Sequence, residues 1–303
     1  MKLLIKVFKW AVISVSVIVI ALFSYSYYLV KSFDTETLPV NHGKVNVELF
    51  LGKGEKQPLI VGFGGSEGGN AWASDHWKPQ RDKYLAKGYS FLAIGYFGME
   101  GTPEKLDRIA LEGIHDAIAK AAQNPKVDGR CIAVMGGSKG GELVLTLGSH
   151  YKDIKAVVGI VPSHAVFTGL TDAMTTSSFT YQNKQLPFVP VPWSATPALL
   201  SGDLRKAFDI MLEDKSAVEK AVIKVEEING PVFLISGTRD EFWPSAEMSD
   251  KVIERLKVKN FPYYYEHLAI EGSHNEPLKH FEKIDTFLDQ HFKADQVNEC
   301  RRK

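Results

Sequence analysis

The chain has almost no cysteine: two residues in 303, Cys131 inside an apolar run and Cys300 in a polar tail. A disulfide framework is thereby excluded, and a chain of this length needs none because it can bury a full core. Net charge is also lacking, with 36 Lys and Arg against 36 Asp and Glu. Lys2, Lys6, Lys9 and Lys31 supply four of those bases within residues 1–31, which hold no acid, so everything downstream is acidic by about four. A nucleic-acid surface, which needs a basic face, is not expected. No repeat of solenoid period and no low-complexity tract occurs. The phosphate-loop pattern G-x-x-x-x-G-K-[ST] is missing, as is a G-x-G-x-x-G leading directly into a helix, which argues against a nucleotide cofactor. His42, His76, His150, His164 and His280 show neither H-E-x-x-H nor any other paired spacing, so no metal site is expected.

Long apolar runs are present once. Residues 10–30, WAVISVSVIVIALFSYSYYLV, carry no charge and follow a lysine-bearing start. At about 1.5 Å per residue this stretch spans the roughly 30 Å hydrocarbon core of a bilayer as a helix. A cleaved signal peptide is the alternative, with Ser24-Tyr25-Ser26 as a passable cleavage site. Tyr25, Tyr27 and Tyr28 instead suit an interfacial aromatic belt, which favours an uncleaved anchor over residues 1–31. Three lysines precede the span, whereas Lys31 is soon followed by Asp34 and Glu36. The positive-inside rule then places the N-terminus in the cytoplasm and the rest of the chain outside it, tethered or, after cleavage, secreted.

Downstream, buried-looking strands alternate with helical patterns, the signature of a parallel α/β sheet. Residues 32–57 form a lead-in with one edge strand, VNVELFL, and residues 58–293 form the main α/β domain, ahead of a polar tail at 294–303. Core strands are expected at 58–63 and 89–97, with a helix over 80–87 between them. Thr102-Pro103 reads as N-cap and first residue of a further helix, whose apolar face includes Leu106, Ile109, Ile114 and Ile118. His115 and Asp116 on that helix read as surface or packing residues.

The chemistry concentrates at 130–149, RCIAVMGGSKGGELVLTLGS. A wholly apolar strand runs into Gly136-x-Ser138-x-Gly140 and then into an apolar helical pattern. This is the spacing of a nucleophile elbow, in which flanking glycines let strand and helix approach while the serine sits exposed at the turn beside a helix N-terminus. The run GGSEGG at 64–69 follows an early core strand, where such a fold takes its second oxyanion donor. The backbone N–H groups of Ser66 and of Lys139, the residue after the nucleophile, are the expected pair. VFLISGTRD at 232–240 reads as a strand with Asp240 just beyond its end, and YYYEHLAIEGSH at 263–274 as a strand followed by His274. Ser138, Asp240 and His274 thus occur in the chain order of a hydrolase triad, with both partners past strand C-termini. Glu241 is the rival acid, and His267 is expected within its strand.

Another buried strand is expected at 154–162. Between it and 232, residues 163–213 lose regular periodicity apart from a short helix near 204–212, as a lid does. Phe179, Tyr181, Phe188, Val189 and Trp193 suit either an apolar acyl pocket or simple packing of this lid onto the domain.

From residue 58 to 292 the chain resembles the C-terminal catalytic domain of the acyl-CoA thioesterase and bile acid-CoA:amino acid N-acyltransferase family. The likeness lies in FGGSEGG, AIGYFG, LEGIHDAI, NPKVDG, IAVMGGSKGGELVL, GTRDEFW and EGSHNEP, in that order. It implies an α/β-hydrolase fold, no metal or organic cofactor, and attack on a fatty acyl or bile acyl thioester. Two departures stand out. Residues 32–57 are too short for the immunoglobulin-like domain that precedes the catalytic one in many mammalian members. The transferase branch uses a cysteine nucleophile, whereas the elbow here carries Ser138, which points to water as the acyl acceptor. The expectation is therefore a serine hydrolase of acyl-CoA-type thioesters or of esters. A carboxylesterase or dienelactone-hydrolase-like enzyme on extracytoplasmic esters is the alternative, and a non-catalytic tethered binding protein a distant third.

Overall fold

In the computed structural model, residues 2–293 are described; the polar tail and Cys300 lie outside them. The first helix, α1 (Lys2–Ser32), is exposed along its length and packs into no core. From Leu3 to Ser32 it is long and apolar enough to cross a membrane, and none of its most apolar window is buried. A buried core helix is thereby excluded for this segment.

A seven-stranded sheet follows, built from β1 (Asn46–Phe50), β2 (Gln57–Phe63), β3 (Ser90–Gly95), β5 (Val127–Gly137), β6 (Ile154–Ile160), β9 (Val232–Gly237) and β10 (Tyr265–Ile270). Their spatial order is β1-β3-β2-β5-β6-β9-β10, with β1 antiparallel at one edge and the other strands parallel. Helices α3 (Leu111–Ala122), α4 (Lys139–His150) and α8 (Ser245–Val258) cover one face, and α2 (Lys78–Ala86) and α9 (Phe281–Phe287) the other. The strands alternate between two cores: in β5, Ile132 and Val134 join the first, while Ala133 and Met135 join the second. Burial on both faces explains why these strands read as unbroken apolar runs rather than as alternation.

Between β6 and β9 the irregular segment folds into short pieces. A small second sheet joins β4 (Ile109–Ala110), β7 (Phe179–Tyr181) and β8 (Lys184–Gln185), and three helices follow: α5 (Thr196–Ser201), α6 (Leu204–Met211) and α7 (Lys215–Ala221). The segment has its own apolar cluster, in which Phe167, Val189 and Met211 pack with Trp243 and Met248.

One helix start differs from expectation. Thr102 caps no helix; its hydroxyl accepts from Met99 N–H at 3.0 Å and closes a turn. Residues 103–108 remain irregular, and α3 begins only at Leu111. Leu106 and Ile109 are buried as expected, but before the helix, because Ile109 and Ala110 pair with Phe179 and Thr180 across the small sheet. That pairing competes with the helical pattern and wins locally, as tertiary contacts do over propensity.

The same stretch binds the chain emerging from α1. Arg108 donates to the carbonyls of Thr37 at 2.9 Å and Asp34 at 3.1 Å, and Gln185 donates to that of Thr35 at 3.3 Å. The lead-in is therefore strapped to the domain.

Candidate active site

Strand β5 ends at Gly137, and Ser138 turns the chain into α4 with φ of 55° and ψ of −120°. This is a left-handed conformation that a residue with a side chain adopts at a cost, stored where the surroundings enforce it. Two close approaches enforce it. A Cβ at Gly136 would meet the carbonyl oxygen of Gly140 at 2.3 Å, and one at Gly140 would meet that of Gly64 at 2.3 Å. The glycines of the elbow thus serve three-way packing of strand, helix and the loop after β2. Ser138 N–H donates to Ile160 O at 2.8 Å, and its carbonyl accepts from Gly141 N–H at 2.8 Å and Glu142 N–H at 3.1 Å. Its hydroxyl makes no capping bond, which leaves it for chemistry.

Asp240 and His274 arrive on the turns after β9 and β10. His274 Nδ1 lies 2.9 Å from Asp240 Oδ1 and 2.8 Å from Oδ2. The Asp240 carboxylate also accepts from Ser245 Oγ at 2.5 Å and from the N–H groups of Phe242 at 3.0 Å and Trp243 at 3.2 Å. Burial by itself would raise the Asp240 carboxyl, but the hydrogen bond and charge of His274, aided by Ser245 and Phe242, hold it below its ordinary value. An ionised Asp240 keeps the imidazole proton on Nδ1 and leaves Nε2 as the base. Glu241, the rival acid, binds elsewhere: its Oε2 accepts from the backbone N–H of His274 at 3.0 Å. His267 lies within β10, with Nδ1 2.8 Å from Asp250.

Ser138 and His274 border one cavity of about 520 Å³, within the range of small-molecule sites. Ser66 and Lys139 border it too. Gly65 N–H is engaged by Glu67 Oε1 at 3.0 Å, whereas among the described residues the N–H groups of Ser66 and Lys139 have no acceptor. Both N–H groups expected as oxyanion donors are thus without an acceptor among the described residues. Among the described residues no group of three His, Cys, Asp or Glu side chains is arranged to hold a metal ion.

The cavity wall is apolar but differs from the aromatic set expected. It is formed by Phe63, Trp72, Trp77, Ile160, Leu170, Met174, Val191, Leu199, Leu204, Phe208, Met211, Phe242, Trp243 and Phe281, among others. Phe179, Tyr181, Phe188 and Trp193 are not part of it. Phe179 is wholly buried in β7, Tyr181 packs beside His150 and Tyr151, Phe188 borders a separate groove, and Trp193 is about half exposed. The reason is topological: residues 179–185 are taken up in the small sheet, and the lid segment reaches the cavity through Thr168, Leu170, Met174, Val191 and helices α5 and α6 instead.

One functional feature escaped sequence reading. Lys139 and Glu142 form a buried ion pair on the first turn of α4, with Nζ 3.0 and 2.9 Å from the two carboxylate oxygens. Glu142 also accepts from Phe167 N–H at 3.1 Å and Ser163 Oγ at 3.2 Å, fastening the start of the lid to the elbow helix. Burial lowers the Lys139 ammonium, and the Glu142 charge opposes this. The available signal was a Lys and a Glu three apart on the first turn of a helix that holds no other Lys, Arg, Asp or Glu.

Comparisons with known proteins agree with this architecture. The family model described as BAAT / Acyl-CoA thioester hydrolase C terminal matches residues 109–275. Acyl-coenzyme A thioesterase 6 of Mus musculus is 30% identical over 225 residues, which are 73% of this chain and 49% of that protein. The mitochondrial acyl-coenzyme A thioesterase 2 of Homo sapiens is 29% identical over 225 residues, covering 73% and 43%. The chain spans about half the length of the curated relatives it matches. Among solved structures, the acylaminoacyl peptidase of Pyrococcus horikoshii superposes with a TM-score of 0.59 at 17% identity, over 84% of this chain and 40% of its own. Est1E from Butyrivibrio proteoclasticus gives 0.53 at 19% identity, over 82% and 96%. With its α/β-hydrolase fold and this match over residues 109–275, the chain belongs to the BAAT / acyl-CoA thioester hydrolase C-terminal family.

Proposed function

We propose that this protein is a serine hydrolase that cleaves acyl thioesters or esters through an acyl-enzyme on Ser138. The observation that carries this reading is the bond from His274 Nδ1 to an ionised Asp240 at the rim of the apolar cavity that Ser138 borders. His274 Nε2 takes the Ser138 proton as Oγ attacks the carbonyl carbon. Asp240 stabilises the imidazolium, and the N–H groups of Ser66 and Lys139 hold the oxyanion, each contributing about 10²–10³ in rate. Collapse of the tetrahedral intermediate expels the thiolate or alkoxide, which takes the proton from His274. Water then attacks the acyl-enzyme, gives a proton to His274, and releases the acid as Ser138 recovers its own.

Residues 58–293 serve as the catalytic domain, with the lid at 163–213. Residues 1–31 serve as the anchor, with the N-terminus in the cytoplasm and the domain outside it. The reading is tested with a fluorophosphonate probe: the chain labels covalently, Ser138→Ala does not, and unchanged labelling of that variant places the nucleophile elsewhere.

A further inference from the structure

We propose that the substrate of this site is a membrane-resident acyl ester with an uncharged alcohol as leaving group, taken from the bilayer that holds α1, in preference to a coenzyme A thioester. This rests on the hydrolase reading above and names its substrate class.

Charge is the first ground. A coenzyme A leaving group brings three phosphates, and proteins hold phosphates with Arg and Lys through charge-assisted hydrogen bonds. Among the described residues that line the cavity, the only Lys or Arg is Lys139, and both carboxylate oxygens of Glu142 hold its ammonium. Helix α6 turns Leu204, Phe208 and Met211 to the cavity, which at helical spacing points Lys206 to the opposite side. Arg205, beside them, is taken by Asp209 at 3.2 Å and Glu247 at 2.7 Å. The loop that supplies the oxyanion donor instead brings an acid, Glu67, to the cavity edge. Among the described residues the cavity wall thus offers a phosphate no free cation, whereas a neutral alcohol needs none.

The strap is the second ground. Leu170, in the cavity wall, donates its N–H to Leu106 O at 2.7 Å. The next residue, Asp107, accepts from Thr176 Oγ1 at 2.6 Å and from Arg108 at 2.8 Å, and both Asp107 and Arg108 are buried. Arg108 in turn grips the carbonyls of Asp34 and Thr37, just past the end of α1. One side of the cavity and the stretch just past α1 thus share a single buried anchor, which ties the site to the segment that enters the bilayer in this reading. An acyl chain then passes from lipid to apolar wall without crossing bulk water. Ser138 Oγ replaces the alcohol oxygen at the ester carbonyl carbon, and the proton held by His274 goes to the departing alkoxide. Water completes the turnover.

The test compares three substrates with the full chain reconstituted in vesicles of ether-linked phosphatidylcholine, which offers no ester of its own. These are mono-oleoylglycerol carried in the vesicle, soluble oleoyl-CoA, and 4-nitrophenyl butyrate. The butyrate ester is expected to turn over, and kcat/KM for mono-oleoylglycerol to exceed that for oleoyl-CoA at least tenfold. Equal or higher kcat/KM for oleoyl-CoA, or cleavage of the butyrate ester without mono-oleoylglycerol, overturns the substrate class and leaves the hydrolase standing. Failure on all three together with no fluorophosphonate labelling at Ser138 overturns the hydrolase reading and this proposal with it.

Discussion

Asp240 is the residue on which the proposed mechanism is most sensitive to a single atom. Its carboxylate holds His274 Nδ1, Ser245 and two backbone N–H groups at once. Asp240→Asn preserves the shape but offers an amide, which stabilises the wrong imidazole tautomer, so kcat on a chromogenic ester is expected to fall about 10⁴-fold with the fold intact by circular dichroism. The depressed Asp240 value also contributes stability, present above the ordinary carboxylate value near 3.9 and lost as pH falls through the lower folded one. Ser138 itself was legible as a residue because its glycines sit at fixed offsets. Lys139 and Glu142 were not, because a Lys and Glu at this spacing read equally as a solvated pair on any helix surface. Their complete burial follows only from the lid segment at 163–168 folding over them.

At the scale of elements, that pair makes α4 more than a support for the nucleophile. Glu142→Gln leaves the buried ammonium of Lys139 without its counter-charge, and urea unfolding is expected to show a loss of about 3–5 kcal/mol. Replacing both together, Lys139→Met with Glu142→Leu, should recover much of that loss, since a buried pair replaced by apolar groups is often neutral. His164, at the start of the lid, offers a separate test. Burial, with Lys251 and Lys215 as like charges, pushes its imidazole down to about 4, and its Nδ1 has no hydrogen-bond partner. A base whose folded value lies below its unfolded value near 6.5 costs stability as pH falls from there toward 4, because only the unfolded chain takes up the proton. Thermal melts of His164→Gln should therefore lose less Tm than the native chain between pH 6.5 and 4. Strands β2, β5, β6 and β9 were legible as elements because burial on both faces writes a continuous apolar run. The start of α3 was not, because Thr102-Pro103 is a good local cap and the strand pairing of Ile109 and Ala110 that displaces it comes from residues 179–180.

For the whole molecule, the main consequence is where the cavity sits. The exposed apolar α1 runs into residues 34–37, which Arg108 straps to the domain, so the proposed membrane attachment and the position of the site are one problem. The proposed topology predicts that the full chain sediments with membranes and resists alkaline extraction. Protease added to intact cells or spheroplasts should digest the domain, and full protection would reverse the orientation. The acidic balance downstream of residue 31 fits the same picture at long range, since it gives the domain no electrostatic attraction for phosphate-rich ligands.

Short-range chemistry was enough to write the elbow, the glycine loop, the order of Ser138, Asp240 and His274, and the apolar span of α1. The elbow, the glycine loop and the apolar span each depend on backbone conformation or periodicity over about thirty neighbouring residues or fewer, and the order of Ser138, Asp240 and His274 was read from three such local signals, one at each strand end. The cavity beside Ser138, the buried Lys139–Glu142 pair and the strap at Arg108 belong to folding instead. Their walls and partners come from segments as far apart in the chain as Phe63, Phe208 and Phe281, or Asp34, Arg108 and Thr176. Aromatic residues at 179–193 suited pocket lining and simple packing equally by local pattern; in the fold Phe179 lies buried in the small sheet and Trp193 is half exposed. Which apolar side chain meets substrate is set by long-range packing of the lid on the sheet, and no local pattern encodes it.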